Sequence, residues 1–187
     1  MPNEDVIQVF IDNLKGAKKA VEYLISLGHQ RIGFISGPRD VKNSLRREEG
    51  YCKALEHHNI PFDPDLIVTG DFHYDSGYNS VDHFMGLEPK PTAVFASNDL
   101  MAVGVIQRAR ERGMSIPKDL SIVGFDDISL SSLINPPLTT IRHPMLEMGL
   151  RASALLVDKL DQKQNAQTDH DLENTLVIRK STRLLRR

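Results

Sequence analysis

Hydrophobic positions along this chain alternate between two periods. Short apolar runs occur at Arg31–Ile35, Leu66–Thr69, Thr92–Phe95 and Leu120–Gly124. Each is bounded by turn formers and has the length of a buried strand. Between them apolar residues recur at helical spacing. Ala17, Ala20, Val21, Leu24 and Ile25 line one face of a segment that Asp12-Asn13 caps and Gly28 ends. A second helix is expected from about Leu45 with Tyr51, Ala54 and Leu55 inward, and a third from about Ser76 with Tyr78, Val81, Phe84 and Met85 inward. A fourth runs from Asp99 to about Arg112. The β-α-β-α alternation predicts an α/β protein with a parallel, doubly wound sheet.

After Asp127 the rhythm changes. A loop through Asn135-Pro136-Pro137 leads to a short strand, Leu138–Ile141. Pro144 begins another amphipathic helix, with Met145, Met148, Ala152, Leu155 and Leu156 in line. A polar connector over 161–168 precedes a final strand, Thr175–Arg179.

The four early runs each end in a polar or turn-forming cluster: Ser36-Gly37-Pro38, Gly70-Asp71-Phe72, Ser97-Asn98-Asp99 and Phe125-Asp126-Asp127. In a parallel sheet these clusters share the carboxyl edge, where open α/β sheets bind ligands at a topological switch point. Arg47 adds a planar fork of donors, Phe72 an aromatic face, Asn98 an amide and Asp126 a carboxylate. That set suits a sugar or a small polar heterocycle. Plainer roles exist for each: Asn98 capping its helix, Arg47 pairing with Glu48 or Glu49, Phe72 filling core. The helix from Asp99 is apolar almost all round its first turns, through Leu100, Met101, Ala102, Val103, Val105 and Ile106. Such a helix is buried on more than one side, either between sheet and loop or at a subunit interface.

Composition narrows the field. At 187 residues the chain suits one compact domain, or one and a piece. A net charge of -2 argues against a polyanion-binding body, and the basic end (Arg179, Lys180, Arg183, Arg186, Arg187) reads as a solvated face. Cys52 is the single cysteine, which excludes an internal disulfide and a cysteine-rich metal site. No phosphate loop, dinucleotide fingerprint or nucleophile elbow is present, and no motif calls for a cofactor. His57-His58, beside Glu56 at a helix end, reads as solvated surface sooner than as a metal site. Asp126-Asp127 would need a placed lysine or second carboxylate to act on a phosphoryl group. No apolar run approaches the roughly 20 residues that span a bilayer. The acidic start, Met1–Asp5, lacks the layout of a secretion signal, so no membrane partner and a cytoplasmic location are expected.

Longer stretches carry a resemblance. Asp12-Asn13-x-x-Gly16-Ala17, Leu27-Gly28-His29-x-Arg31-Ile32-Gly33-Phe34-Ile35, Arg46-Arg47-x-x-Gly50-Tyr51, Pro91-Thr92-Ala93-Val94-Phe95-Ala96-Ser97-Asn98-Asp99, Ile116-Pro117-x-Asp119-Leu120-Ser121-Ile122-Val123-Gly124-Phe125-Asp126-Asp127 and Leu138-Thr139-Thr140-Ile141 closely resemble the lactose-repressor/galactose-repressor family of bacterial transcription regulators. The resemblance implies a type I periplasmic-binding-protein-like fold of two lobes with an effector between them. Residues 12–141 would form the C-terminal effector-binding lobe. Residues 142–171 would supply a crossover helix of the N-terminal lobe plus connector, and 172–187 a returning strand and basic tail. The family's helix-turn-helix, hinge helix and most of its N-terminal lobe have no counterpart here, so operator DNA is expected to be met only through that absent part.

By position, Arg47, Phe72, Asn98 and Asp126 match the family's effector contacts, and His143 stands where members often carry glutamine. Val103 and Ile134 match dimer-contact positions, implying a homodimer. The function expected is therefore sensing of a small sugar-like effector by a repressor, with a purine as the competing ligand and no enzymatic activity. A solute-binding protein of the same fold, or an Asp-dependent α/β enzyme, are the alternatives.

Overall fold

Strands covered on both faces lose the alternation of polar and apolar residues, and here every residue of the central strands is buried. The computed structural model describes residues 9–161 and 172–185. Along the chain it holds α1 (Asn13–Ser26), β1 (Ile32–Ser36), α2 (Lys42–His57), β2 (Ile67–Thr69), α3 (Tyr74–Gly86), β3 (Ala93–Ala96), α4 (Asp99–Glu111), β4 (Ser121–Asp126), α5 (Leu130–Leu133), β5 (Thr139–Arg142), α6 (Met145–Leu160) and β6 (Thr175–Val177). The strands lie in the order β2-β1-β3-β4-β5-β6. The first five are parallel, and β6 runs antiparallel to β5.

Successive side chains of a strand point to opposite faces, and this splits the core in two. On one face Phe34, Phe95 and Phe125 pack with Tyr51, Ala17 and Leu24 of α1 and α2. The Phe34 ring stacks on Tyr51 at 4.9 Å and on Phe95 at 5.3 Å, and the Tyr51 hydroxyl donates to the Ile32 carbonyl. On the other face Ile35, Val94 and Ile122 meet Val81, Phe84, Met101 and Val105 of α3 and α4. The apolar girth of α4 has its cause here: one side meets the sheet and another meets α3. A Cβ on Gly104 would lie 2.2 Å from the Tyr74 carbonyl oxygen, so only glycine lets the two helices approach this closely.

The chain departs from its sequence pattern in several places. The second helix begins at Lys42 and the third at Tyr74, each earlier than periodicity suggests. Leu66 belongs to a 3-10 turn, Pro64–Leu66, that the Asp63 side chain caps. The stretch read as loop after Asp127 contains the one-turn helix α5. The last strand opposes its neighbour and ends at Val177. Residues 162–168 of the expected connector, the Met1–Asp5 start and Arg186–Arg187 lie outside the described residues.

Helix α6 buries none of its residues, and Leu146 and Leu160 stand 79% and 74% exposed. No helix of the described residues is long and apolar enough to cross a membrane.

Candidate functional site

The order 2-1-3-4 places the switch point between β1 and β3, and Arg47 sits over it. Its side chain is only 8% exposed. Nε donates to Asn13 Oδ1 at 2.8 Å, Nη1 donates to the Ser97 carbonyl just past β3, and Nη2 reaches His143 Nε2 at 3.3 Å. Asp126 Oδ1 is 3.5 Å from the same Nη2. The guanidinium lies over the Phe125 ring, 3.9 Å from its centroid, with Phe72 6.0 Å away. Burial lowers the Arg47 pKa, while the charges of Asp126 and Asp99 work the other way. Arg46, not Arg47, makes the surface pair with Glu49.

Asp126 ends β4 with φ of +108°, Asp127 follows at +58°, and Phe72 has +68°. Left-handed backbone at a residue with a Cβ costs on the order of 1–3 kcal/mol and persists where surroundings impose it. The two aspartates face different partners. Asp126 leaves a third of its side chain open to the cleft. Burial pushes its carboxyl up to about 6, against the pull of Arg47 and with some help from Asp99. Asp127 is paired with both Arg142 and Arg179 at 2.6 Å. Burial works to raise the Asp127 carboxyl, and the two arginines overcome it and hold it below the usual range. It is thus an anchor for β5 and the segment after β6.

His143 follows β5. Its Nδ1 lies 2.7 Å from Asn174 Oδ1, and the Asn174 amide nitrogen donates to the Asp12 carbonyl, which sets the amide's orientation. Nδ1 therefore carries the hydrogen, and Nε2 offers its lone pair to Arg47. Burial and then the Arg47 charge push the imidazole down to about 4, against the bond to Asn174.

Asn98 caps α4, its Oδ1 accepting from Met101 N at 2.9 Å, while its Nδ2 donates to the Phe72 carbonyl at 2.7 Å. It thus performs the capping role and also clamps Phe72 in its left-handed turn. The Phe72 ring rests on Gly37, where a Cβ would come within 2.1 Å of it.

A cavity of about 590 Å³ opens beside this cluster, lined in part by Arg47, Asp126, His143, Phe10, Met145 and Met148. Of the five candidate contacts, Arg47, Asp126 and His143 share that wall. Asn98 and Phe72 do not line it; they are tied to each other and stand at the Arg47 edge of the cluster. The neighbouring interface candidates are half-buried: Val103 on α4, and Ile134, which packs against the α3–α4 core beside a 78% exposed Leu133.

Four supporting residues were not singled out from sequence. Asn13 looked like half of a cap, but Asp12 alone accepts from Lys15 N. That frees Asn13 to hold Arg47. The sequence puts Phe125 in the cluster after the strand and gives it no role, yet it lies within β4 and carries the guanidinium. Asp99 is fully buried and accepts from Ile128 N, Ser131 Oγ and Thr140 Oγ1, fastening the turn after Asp126 to β5. Burial raises its carboxyl. Nothing local to Asn174 marks it, since its partners are distant in sequence.

Open α/β sheets bind their ligands in the crevice beyond the switch point, and the polar cavity of this chain lies there. Residues 21–182 match the family model for a periplasmic binding protein-like domain. The HTH-type transcriptional repressor CytR of Escherichia coli (strain K12) is 40% identical over 184 residues, which is 98% of this chain and 54% of that protein. A regulatory protein of the LacI family from Chloroflexus aggregans superposes with a TM-score of 0.91 at 36% identity, covering 97% of this chain and 66% of that one. The transcriptional regulator CelR in complex with cellobiose gives 0.88 at 35% identity, covering 97% and 55%. This chain belongs to the periplasmic-binding-protein-like family, in its LacI branch of transcription regulators. It spans about half the length of the curated relatives it matches.

Proposed function

We propose that this chain is the effector-binding portion of a bacterial transcriptional repressor, and that it takes a small sugar or sugar derivative against Arg47, Asp126 and His143. The observation that carries the reading is the part-exposed Asp126 carboxylate, fixed beside a buried guanidinium at the sheet's switch point. A carboxylate accepts from ligand hydroxyls, and the guanidinium, with one N–H beyond its four contacts, donates to the same ring. The cellobiose bound by CelR supports the sugar class.

In this reading residues 12–141 form one lobe, and 142–171 include the crossover helix of a second. The unburied apolar face of α6 supports that assignment. The exposed side chains of Leu100 and Leu133, flanking Val103 and Ile134, support a homodimer through this face. Operator DNA is met by a helix-turn-helix outside this chain, in the cytoplasm, and the cleft senses its ligand without turning it over. Effector and operator are then linked by a coupling free energy, typically about 1–3 kcal/mol, that acts equally in both directions.

The test is an NMR titration of the isotope-labelled chain with mono- and disaccharides, and in parallel with purines and nucleosides. A lobe without its partner loses a few hydrogen bonds of about 1 kcal/mol each, so the expected affinity is weakened by roughly two to three decades. Sugars should move the Arg47 and His143 resonances, and Arg47→Ala or Asp126→Ala should silence the response in a folded protein. A response to purines alone would replace the sugar assignment, and silence from both panels at millimolar ligand would refute the cleft.

A further inference from the structure

The far end of the α1–α2 pair carries side chains that the cleft does not use. His57 is the last residue of α2 and His58 its C-cap, and Glu22 faces both from α1. His57 Nδ1 lies 2.9 Å from Glu22 Oε1, and His58 Nε2 lies 3.9 Å from the same oxygen. All three ligand atoms fall within 4.8 Å of one another, the one such group of three among the described residues. A tetrahedral zinc ion with bonds of about 2.0–2.1 Å sets its ligand atoms roughly 3.3–3.4 Å apart. The two separations to Glu22 bracket that value. The imidazoles are 64% and 38% exposed, so little packing resists the small rotations that would bring them onto one shell.

We propose that Glu22, His57 and His58 bind a divalent cation of the zinc class, which clips the end of α2 to α1. Two imidazole nitrogens and one carboxylate form a borderline donor set, suited to Zn²⁺ and poor for Mg²⁺ or Ca²⁺. Three protein ligands leave the fourth position to water, as the open surface requires. Binding requires the hydrogen between His57 Nδ1 and Glu22 Oε1 to leave that position, because an imidazole ligates only through a free lone pair. Lys18, with Nζ 3.5 Å from Glu22 Oε1, is the opposing charge and must swing away on its flexible stem. Asn13 opens α1 and Arg47 lies in the second turn of α2, both away from the His57 end, so the ion braces the helix pair that seats the guanidinium.

The chain, prepared without a histidine tag and stripped with chelator, is titrated with Zn²⁺ alone by calorimetry and followed by thermal unfolding. One equivalent should bind. At zinc near 100 times Kd, linkage predicts a rise in Tm of roughly 5–10 °C. His57→Ala, His58→Ala and Glu22→Gln should each weaken binding by at least about tenfold, without lowering the metal-free Tm, because these side chains lie at the surface. Lys18→Met should tighten it, and His83→Ala, on α3, should leave it unchanged. Absence of saturable binding, binding that survives His57→Ala and Glu22→Gln, or an equal response to Mg²⁺ would overturn the site.

Discussion

At the scale of single residues, the cleft holds two titratable groups displaced in opposite directions. Asp126 stands at about 6, above an ordinary aspartate, so between roughly pH 4 and 6 the folded chain keeps a proton that the unfolded chain has lost. Its contribution to stability therefore falls as pH rises through that window. His143 stands at about 4, below an ordinary histidine, so from roughly pH 4 to 6.5 the unfolded chain holds the extra proton. Its contribution rises with pH and offsets the first, while Asp99 adds in the sense of Asp126. Removing either group should expose the other. Thermal melts across this range should show His143→Gln gaining stability on acidification relative to the parent chain, and Asp126→Asn losing it more steeply. Parallel curves for all three proteins would show that the two groups do not titrate this way. Asp126 stands out in the sequence as a polar residue at a strand end and Arg47 as a cation in the helix after the first strand, whereas His143 is marked only by its position in the family resemblance. Their orienting partners were not legible, since Asn174 and Asn13 look like ordinary loop and cap residues until the chain is folded.

At the scale of elements, apolar runs and helical stripes made the sheet and its helices legible, and the misses have local causes. Lys42-Asn43-Ser44 opens α2 with no apolar periodicity, and Val41 offers no capping side chain. Helix α5 is held by Asp99 bonding to Ile128 N and Ser131 Oγ, a tertiary cause that propensity does not register. A three-residue strand such as β6 carries no signal of its direction. The contact between α3 and α4 offers the sharpest test. Gly104→Ala must force the helices apart and should cost about 1–3 kcal/mol or more. Gly149→Ala, in an exposed turn of α6 where an added Cβ meets nothing within 4 Å, should instead gain about 0.5–1 kcal/mol of helix stability. Urea melts of the two variants distinguish these outcomes, and equal effects would contradict the packing described.

At the scale of the whole molecule, the sheet and its helices bury two cores, while α6 stays open. Leu146, Leu150 and Leu160 bury little against the described residues, so their replacement removes almost no packing. Leu146→Glu with Leu150→Glu should shift stability by no more than about 0.5 kcal/mol. The same pair should reduce self-association seen by sedimentation, because a contiguous apolar patch is gone. A large loss of Tm would mean that the helix packs on its own sheet after all.

The chain leaves the sheet at Arg142 and re-enters it at Thr175, positions that pair directly across β5 and β6. Just beyond that pair a side-chain bond ties His143 to Asn174, with α6 following on the His143 side. His143 is thus fastened at both ring nitrogens, Nδ1 to the residue before β6 and Nε2 to the guanidinium, so a single ring couples the start of the last strand to the charged wall of the cavity.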